Sequence, residues 1–207
     1  MNEIRISDNI SYIEACEEPL SADIGIICVG EELFLYDVGR GESNIAGLDG
    51  TYNVVLSHFH PDHTANLSAV KCKALYVSKE TYKHVKERCN AKESIIVESS
   101  TDIGNIRIFP IPSSHAKGCL GLMVDDTYAF VGDALCGRVR AGYYTYNVQF
   151  LKEEIEVLKA LKVDKLLVSH HKGLVVEKAK VIEGLSRIYD MRDKNSSEIR
   201  ADFDWID

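Results

Sequence analysis

The sequence predicts a mixed α/β protein whose β-sheets are covered by helices. Three observations carry that expectation. Short β-branched and apolar runs recur along the chain and are bounded by Gly, Asp and Ser. Stretches with helical spacing follow several of these runs. The chain has 207 residues, 45% hydrophobic and 27% charged, enough to build one core of ordinary size. No low-complexity linker and no short repeat divides it, so residues 1–207 read as one domain.

Residues 4–6, 10–14, 24–29 and 33–38 read as strands, the last two joined by a turn at Gly30-Glu31-Glu32. A further strand at 53–57 leads into His58, and a helix-like stretch covers about 65–70. A strand at 75–77 precedes a helix over 79–89, for which Ser78 is the N-cap. Strands follow at 95–98 and 106–111, then a hairpin of 120–124 and 128–131 around Asp125-Asp126. Residues 132–142 read as a loop. The clearest amphipathic helix covers 150–161, where Phe150, Leu151, Ile155, Leu158 and Leu161 recur at helical spacing. A buried strand at 165–168 and a final helix at 176–189 complete the series. Phe203 and Trp205 mark the charged tail as a segment that docks onto something.

The formal net charge is −8, from 24 basic and 32 acidic residues. A nucleic-acid binder shows a basic surplus or a basic stripe, and neither is present. Six widely spaced cysteines form no CxxC pair and read as reduced thiols. The N-terminal stretch lacks a basic segment followed by an apolar one, and no apolar run reaches membrane-spanning length. These features predict a soluble cytoplasmic protein with no membrane partner.

The chemistry concentrates in one segment. Three of seven histidines fall within His58-Phe59-His60-Pro61-Asp62-His63, directly after an apolar strand. Residues two apart in extended backbone project the same way, so His58 and His60 can reach one ion together. Asp62 and His63, beyond the proline, can turn toward a second. His115, Asp133 and His170 each follow an apolar run as well, which places all of them at strand ends. Imidazole nitrogen and carboxylate oxygen both suit zinc. His171 adjoins His170 and is the alternative to it, while His84 lies in a polar helical pattern and reads as exposed. Cys119 and Cys136 read as small buried residues. Lys117, Arg138, Arg140, Tyr143, Tyr144 and Tyr146 cluster around these positions. They are either ordinary loop surface or a wall that binds a substrate carboxylate.

With HxHxDH at 58–63 followed by a His, an Asp and a final His, the sequence resembles the metallo-β-lactamase superfamily over nearly its whole length. The resemblance implies a four-layer αββα sandwich of two mixed β-sheets, in two similar halves of about 1–112 and 113–207. It implies a first ion on His58, His60 and His115 and a second on Asp62, His63 and His170, with Asp133 bridging both. The ions would most simply be zinc, with iron or manganese as alternatives. Asp37, in Tyr36-Asp37-Val38-Gly39, resembles the family aspartate that supports the metal loop from behind. A pair of such ions activates water for attack on a carbonyl or phosphoryl centre, so a dinuclear hydrolase is implied, with Asp62 and Asp133 as its catalytic carboxylates.

The segment Phe130–Arg140, with Gly132-Asp133-Ala134-Leu135-Cys136-Gly137-Arg138-Val139-Arg140 within it, is similar to one in hydroxyacylglutathione hydrolases (glyoxalase II) and their short bacterial relatives. That likeness implies a small thioester or ester substrate, with Lys117, Arg138 and Tyr144 as candidate contacts. The short tail past Met191 leaves no room for the added helical region that binds glutathione in full-length glyoxalase II. Lactones and phosphodiesters are alternative substrates. Relatives with the same fold that hold a single iron and oxidise persulfides supply the alternative reaction class. A homodimer is one expectation for the assembly.

Overall fold

The computed structural model describes residues 3–205. In the N-terminal part lie β1 (Glu3–Arg5), β2 (Ile10–Ile13), a small hairpin of β3 (Cys16–Glu17) and β4 (Leu20–Ser21), β5 (Ile24–Val29), β6 (Glu32–Tyr36), β7 (Thr51–Val55), β8 (Lys71–Val77) and β9 (Glu93–Ile96). Apart from the hairpin, these form a seven-stranded sheet in the order β1-β2-β5-β6-β7-β8-β9. Pairing is antiparallel up to β6 and parallel from β6 to β9. The chain then supplies β10 (Thr101–Ile103), β11 (Ile106–Ile111), β12 (Cys119–Val124), β13 (Tyr128–Gly132), β14 (Arg138–Arg140), β15 (Tyr143–Asn147), β16 (Lys165–Val168), β17 (Val175–Glu177) and β18 (Glu198–Ala201). The second sheet has the order β10-β11-β12-β13-β16-β17, with β13 and β16 parallel. A three-stranded sheet, β14-β15-β18, flanks it. The helices are α1 (Pro61–Thr64), α2 (Lys79–Val85), α3 (Val148–Ala160) and α4 (Lys178–Asp190).

Side-chain alternation stacks these elements into four layers. Phe34 and Tyr36 of β6 join Leu120, Leu122 and Phe130 in a core between the two sheets. Leu35, between them, faces the opposite core with Val54, Leu75 and Val85, under α2. On the second sheet Phe130 and Leu167 point inward. Ala129, Val131, Leu166 and Val168 pack outward against Leu151, Leu158, Val181 and Leu185 of α3 and α4. Both faces of each sheet are therefore dry, which explains why the central strands read as continuous apolar runs. The αββα sandwich implied by the resemblance is the architecture observed.

Strands 24–29, 106–111 and 165–168 form with the expected limits. Ser78 caps α2, its Oγ accepting from Thr81 N at 3.2 Å, although the helix stops at Val85. Residues 65–70 form no continuous helix. One turn, α1, precedes them, and a second tight turn covers Ala65–Ser68. Val176, expected to open the last helix, pairs with Leu166 of β16 first, as β-branched residues do when a strand edge is open. The loop expected at 132–142 contains β14, which is exposed throughout and so carries no apolar signal. The chain passes between sheets at about 97–100, so the hairpin β10–β11, which lies before residue 112, pairs in the second sheet. All six cysteines are free thiols. No described helix is long and apolar enough to cross a membrane.

The tail docks onto its own chain. β18 pairs with β15, Trp205 is 5% exposed within the α3/α4 core, and Arg187 lies 4.7 Å over the ring of Phe203. The Trp205 main chain crosses α4 at Gly184, where an added Cβ would lie 2.0 Å from the Trp205 carbonyl oxygen. Gly184→Ala is therefore expected to destabilise the protein by about 1–3 kcal/mol. A urea-unfolding midpoint equal to that of the unmodified chain would contradict this contact.

Candidate metal centre

The seven residues expected as ligands converge because of where the strands end. β6 and β7 run parallel, so Asp37 and the Ser57-His58 pair leave neighbouring strands at the same edge. β13 and β16 also run parallel and deliver Asp133 and His170 at the facing edge. The edges are joined where Leu120 N donates to Ser57 O at 2.8 Å and Tyr36 Oη donates to Leu120 O at 2.7 Å. Gly132 (φ +55°) lies where an added Cβ would be 2.8 Å from Ser57 Cβ, so glycine lets the sheets approach at this point. The site lies at the carboxyl ends of parallel strands, where open α/β sheets place their crevices.

Two groups of donors result. Ring nitrogens of His58, His60 and His115 lie within 4.8 Å of one another, and so do ligand atoms of Asp62, His63, Asp133 and His170. The His60 Nδ1 to His115 Nε2 distance is 3.0 Å. Asp133 Oδ2 is 3.2 Å from His63 Nε2, 3.6 Å from His115 Nε2 and 3.8 Å from His170 Nε2, so this carboxylate stands between the groups. Asp62 Oδ2 is 3.2 Å from His170 Nε2 and 3.6 Å from His63 Nε2.

Hydrogen bonds behind the rings aim them. Asp37, fully buried and at φ 61°, accepts from Ser57 N, Ser57 Oγ and His63 Nδ1, each at 2.7 Å. With the Ser57 hydroxyl donated to Asp37, its oxygen accepts from His58 Nδ1 at 3.0 Å. The Nε2 atoms of His58 and His63 are thereby turned toward the site. His115 is held by its own backbone: its N donates to Ser113 Oγ at 3.0 Å, and Arg138 Nε donates to its carbonyl at 3.2 Å. Ser113 Oγ in turn donates to Ala134 O, tying this loop to the Asp133 loop. His60 caps α1 with Pro61 in its first turn, and Thr64 Oγ1 donates to His60 O at 3.0 Å.

Electrostatics separate the groups. Burial pushes His58 well below the usual imidazole range, lowers His60, and takes His115 down to about 4, so all three present neutral rings. In the second group burial opposes the charged forms, but the partners win. The hydrogen bond from His170 and the charge of His63 bring Asp62 down to about 2, and His63 lowers Asp133. Burial lowers His63, yet Asp37 and Asp133 hold it well above the imidazole range, and the hydrogen bond to Asp62 raises His170.

Divalent metal ions fit this donor set. His58 Nε2 and Asp133 Oδ1 are buried without a hydrogen-bond partner among the described residues, at positions where a metal bond would satisfy them. Without metal, the protein keeps a proton on His63 that an ion bound there would have to displace. Zinc binding at pH 7 is therefore expected to release protons, and its affinity to fall as pH drops. Calorimetric titration in buffers of different ionisation enthalpy reads that number, and a buffer-independent enthalpy would rule the displacement out.

Two clefts open on the centre. One, of about 650 Å³, runs from His60, Asp62, Asp133 and His170 to the β3–β4 hairpin, where Cys16, Glu17 and Leu20 line it. The other, of about 480 Å³, lies on the His60/His115 side and is lined by Phe59, Arg138, Val139 and Arg140. Phe59 stacks on His84 with centroids 4.4 Å apart. Of the three candidate substrate contacts, Arg138 lines a cleft. Lys117 is exposed beside Glu80 at the start of α2, and Tyr144 packs its ring against the α3/α4 core. His171 lines the first cleft but belongs to neither donor group. Cys119 is buried, its thiol pushed up to about 12 by that burial, and burial also holds the half-buried Cys136 well above the ordinary thiol range. A larger cleft, of about 860 Å³, lies away from the donor groups between β17, α4 and Trp205. Spacing gave no sign that Asp23, Phe59 or the hairpin would line these clefts, because the lining comes from contacts distant in sequence.

The comparisons agree with this architecture. The family profile for the β-lactamase superfamily domain matches residues 39–163, more than half of the chain, which includes six of the seven donors but not His170. No curated protein matches the chain by sequence. Among solved structures, the DIM-1 metallo-β-lactamase is similar with a TM-score of 0.70 and 14% identity, over 91% of this chain and 96% of that one. A metallo-β-lactamase superfamily protein from the archaeon Sulfolobus tokodaii gives 0.58 and 21%, over 96% and 91%. A peroxy diiron species of the chemotaxis sensor ODP gives 0.66 and 15%, over 90% and 94%. The profile match, carried by a sandwich whose strand ends gather histidines and aspartates into groups able to bind metal, shows that the chain belongs to the metallo-β-lactamase superfamily.

Proposed function

We propose that this chain is a dinuclear metal-dependent hydrolase acting on a small ester or thioester, similar to hydroxyacylglutathione hydrolases. The placement of Asp133 carries the reading. Its carboxylate lies between both donor groups, with one oxygen facing three histidines and the other buried and unpartnered. Two divalent ions held there would polarise a carbonyl and supply an activated water near neutral pH.

The chain's own residues do the rest. Asp62, held ionised by His170 and His63, offers Oδ2 at the cleft floor to hold and orient the attacking water. Arg138 and Arg140 supply positive charge on the His60/His115 side, which suits a substrate with an anionic end. The hairpin at Leu20, half exposed, offers an apolar wall on the other side. The likeness of residues 130–140 to the glyoxalase II stretch supports a thioester. The likeness to the diiron sensor keeps iron-dependent oxidation as the second reading.

Elemental analysis of protein purified without chelator or added metal, paired with a thioester, ester, lactone and phosphodiester panel under nitrogen, tests the proposal. About two zinc or manganese per chain with oxygen-independent thioester or ester cleavage is the expected result. Bound iron with turnover that requires oxygen would replace it with the second reading.

A further inference from the structure

We infer that Asp23 is a positioning residue for the Asp62/His63/Asp133/His170 half of the centre, and that it couples this half to the β3–β4 hairpin. The inference rests on reading these residues as metal ligands. Asp23 stands just after the hairpin and is 4% exposed. Its Oδ2 accepts from the His170 backbone N at 2.9 Å, and its Oδ1 accepts from Ala15 N at 3.0 Å. One carboxylate therefore holds the chain where it enters the hairpin, at Ala15, and the ligand-bearing loop at the same time.

His170 needs such a hold. It follows β16 with φ 62°, a left-handed conformation that a residue with a Cβ rarely adopts. An amide donated to a buried carboxylate is among the stronger hydrogen bonds and sets the direction of this loop. The neighbouring residue acts on the other ligand segment: Ala22 N donates to Asp62 O at 3.0 Å. Two consecutive residues thus grip the main chains of Asp62 and His170, whose side chains meet at 3.2 Å. The other group is supported elsewhere, His58 by Ser57 and His115 by Ser113 and Arg138. A defect at Asp23 therefore falls on one half of the centre. Because Cys16, Glu17 and Leu20 line the cleft, a substrate pressing on the hairpin bears through Asp23 on His170.

The test uses the full chain, stripped with chelator and titrated with Zn²⁺, in the unmodified form and as Asp23→Asn and Asp23→Ala. Asparagine has one carbonyl oxygen, so it can serve one of the two amides well. One equivalent of zinc should bind as before, while the other loses about 10–100-fold in affinity, less for Asn than for Ala. Hydrogen exchange at Ala15 and His170 should quicken in both variants. Equal weakening of both equivalents, an unchanged titration, or failure of even Asp23→Asn to fold would overturn the assignment. If the unmodified chain binds fewer than two ions, the dinuclear reading fails by itself. The exchange rates then decide Asp23: faster exchange at both amides keeps it as the link between hairpin and His170 loop, and unchanged rates remove it.

Discussion

Asp133→Ala is expected to lower turnover of a cleaved substrate by about a thousandfold or more, and to leave at most one tightly held ion per chain. Asp133 is the donor whose distances reach into both groups, at 3.2 Å from His63 and 3.6 Å from His115. Its removal leaves His58, His60 and His115 as a neutral three-nitrogen set that still suits zinc. It also withdraws a negative charge that holds the proton on His63. The remaining Asp62, His63 and His170 lose their shared carboxylate and bind less tightly. An ion that stabilises transition-state charge contributes several kcal/mol, and each 1.36 kcal/mol is tenfold in rate, hence the magnitude. Steady-state kinetics and metal content on the same preparation check it. A variant with two ions and turnover within tenfold of the unmodified chain would show that Asp133 does not join the two groups.

Glu154→Leu is expected to stabilise the protein, and more so at high pH. Glu154 lies on the buried face of α3 beside Leu151, Ile155 and Leu158, with no exposed surface. Neither carboxyl oxygen has a hydrogen-bond partner among the described residues. Burial pushes its carboxyl well above the usual range. The folded chain therefore keeps this proton at pH values where the unfolded chain, with a carboxyl near 4.3, has released it. Where the folded state binds more protons, stability falls as pH rises, from the unfolded value up through the folded one. Leucine removes both the unpartnered polar group and that slope. The gain should be about 1–3 kcal/mol near pH 8, and smaller at pH 5. In a chain of this size each kcal/mol raises Tm by about 2–4 °C. Thermal unfolding of both proteins at the two pH values measures it; equal shifts at both would mean that the carboxyl is not held protonated.

The donor set was readable because the positions that matter follow local rules. His58 and His60 are two apart at the end of a strand, and His115, Asp133 and His170 each come after an apolar run. The family resemblance added Asp37 and the sandwich. Pattern reasoning lost short elements such as β14 and the hairpin β3–β4, where two or three residues are too few to show an apolar period. Glu154 illustrates a middle case. The helical stripe through Leu151, Ile155 and Leu158 places position 154 on the buried face, but a charged residue there reads as solvent-facing when residue type alone is considered.

Local sequence determined the central strands, the amphipathic α3 and which histidines and aspartates stand at strand ends, since periodicity and strand-end placement depend on residues near in the chain. Tertiary structure alone brought the two donor groups, whose division the family resemblance implies, to facing sheet edges. It also decided that Arg138 reaches the centre while Tyr144 turns into the core, and that Asp23 grips a histidine 147 residues away. Those outcomes depend on which strand ends are brought face to face, and pairing over such separations leaves no periodic trace in the chain.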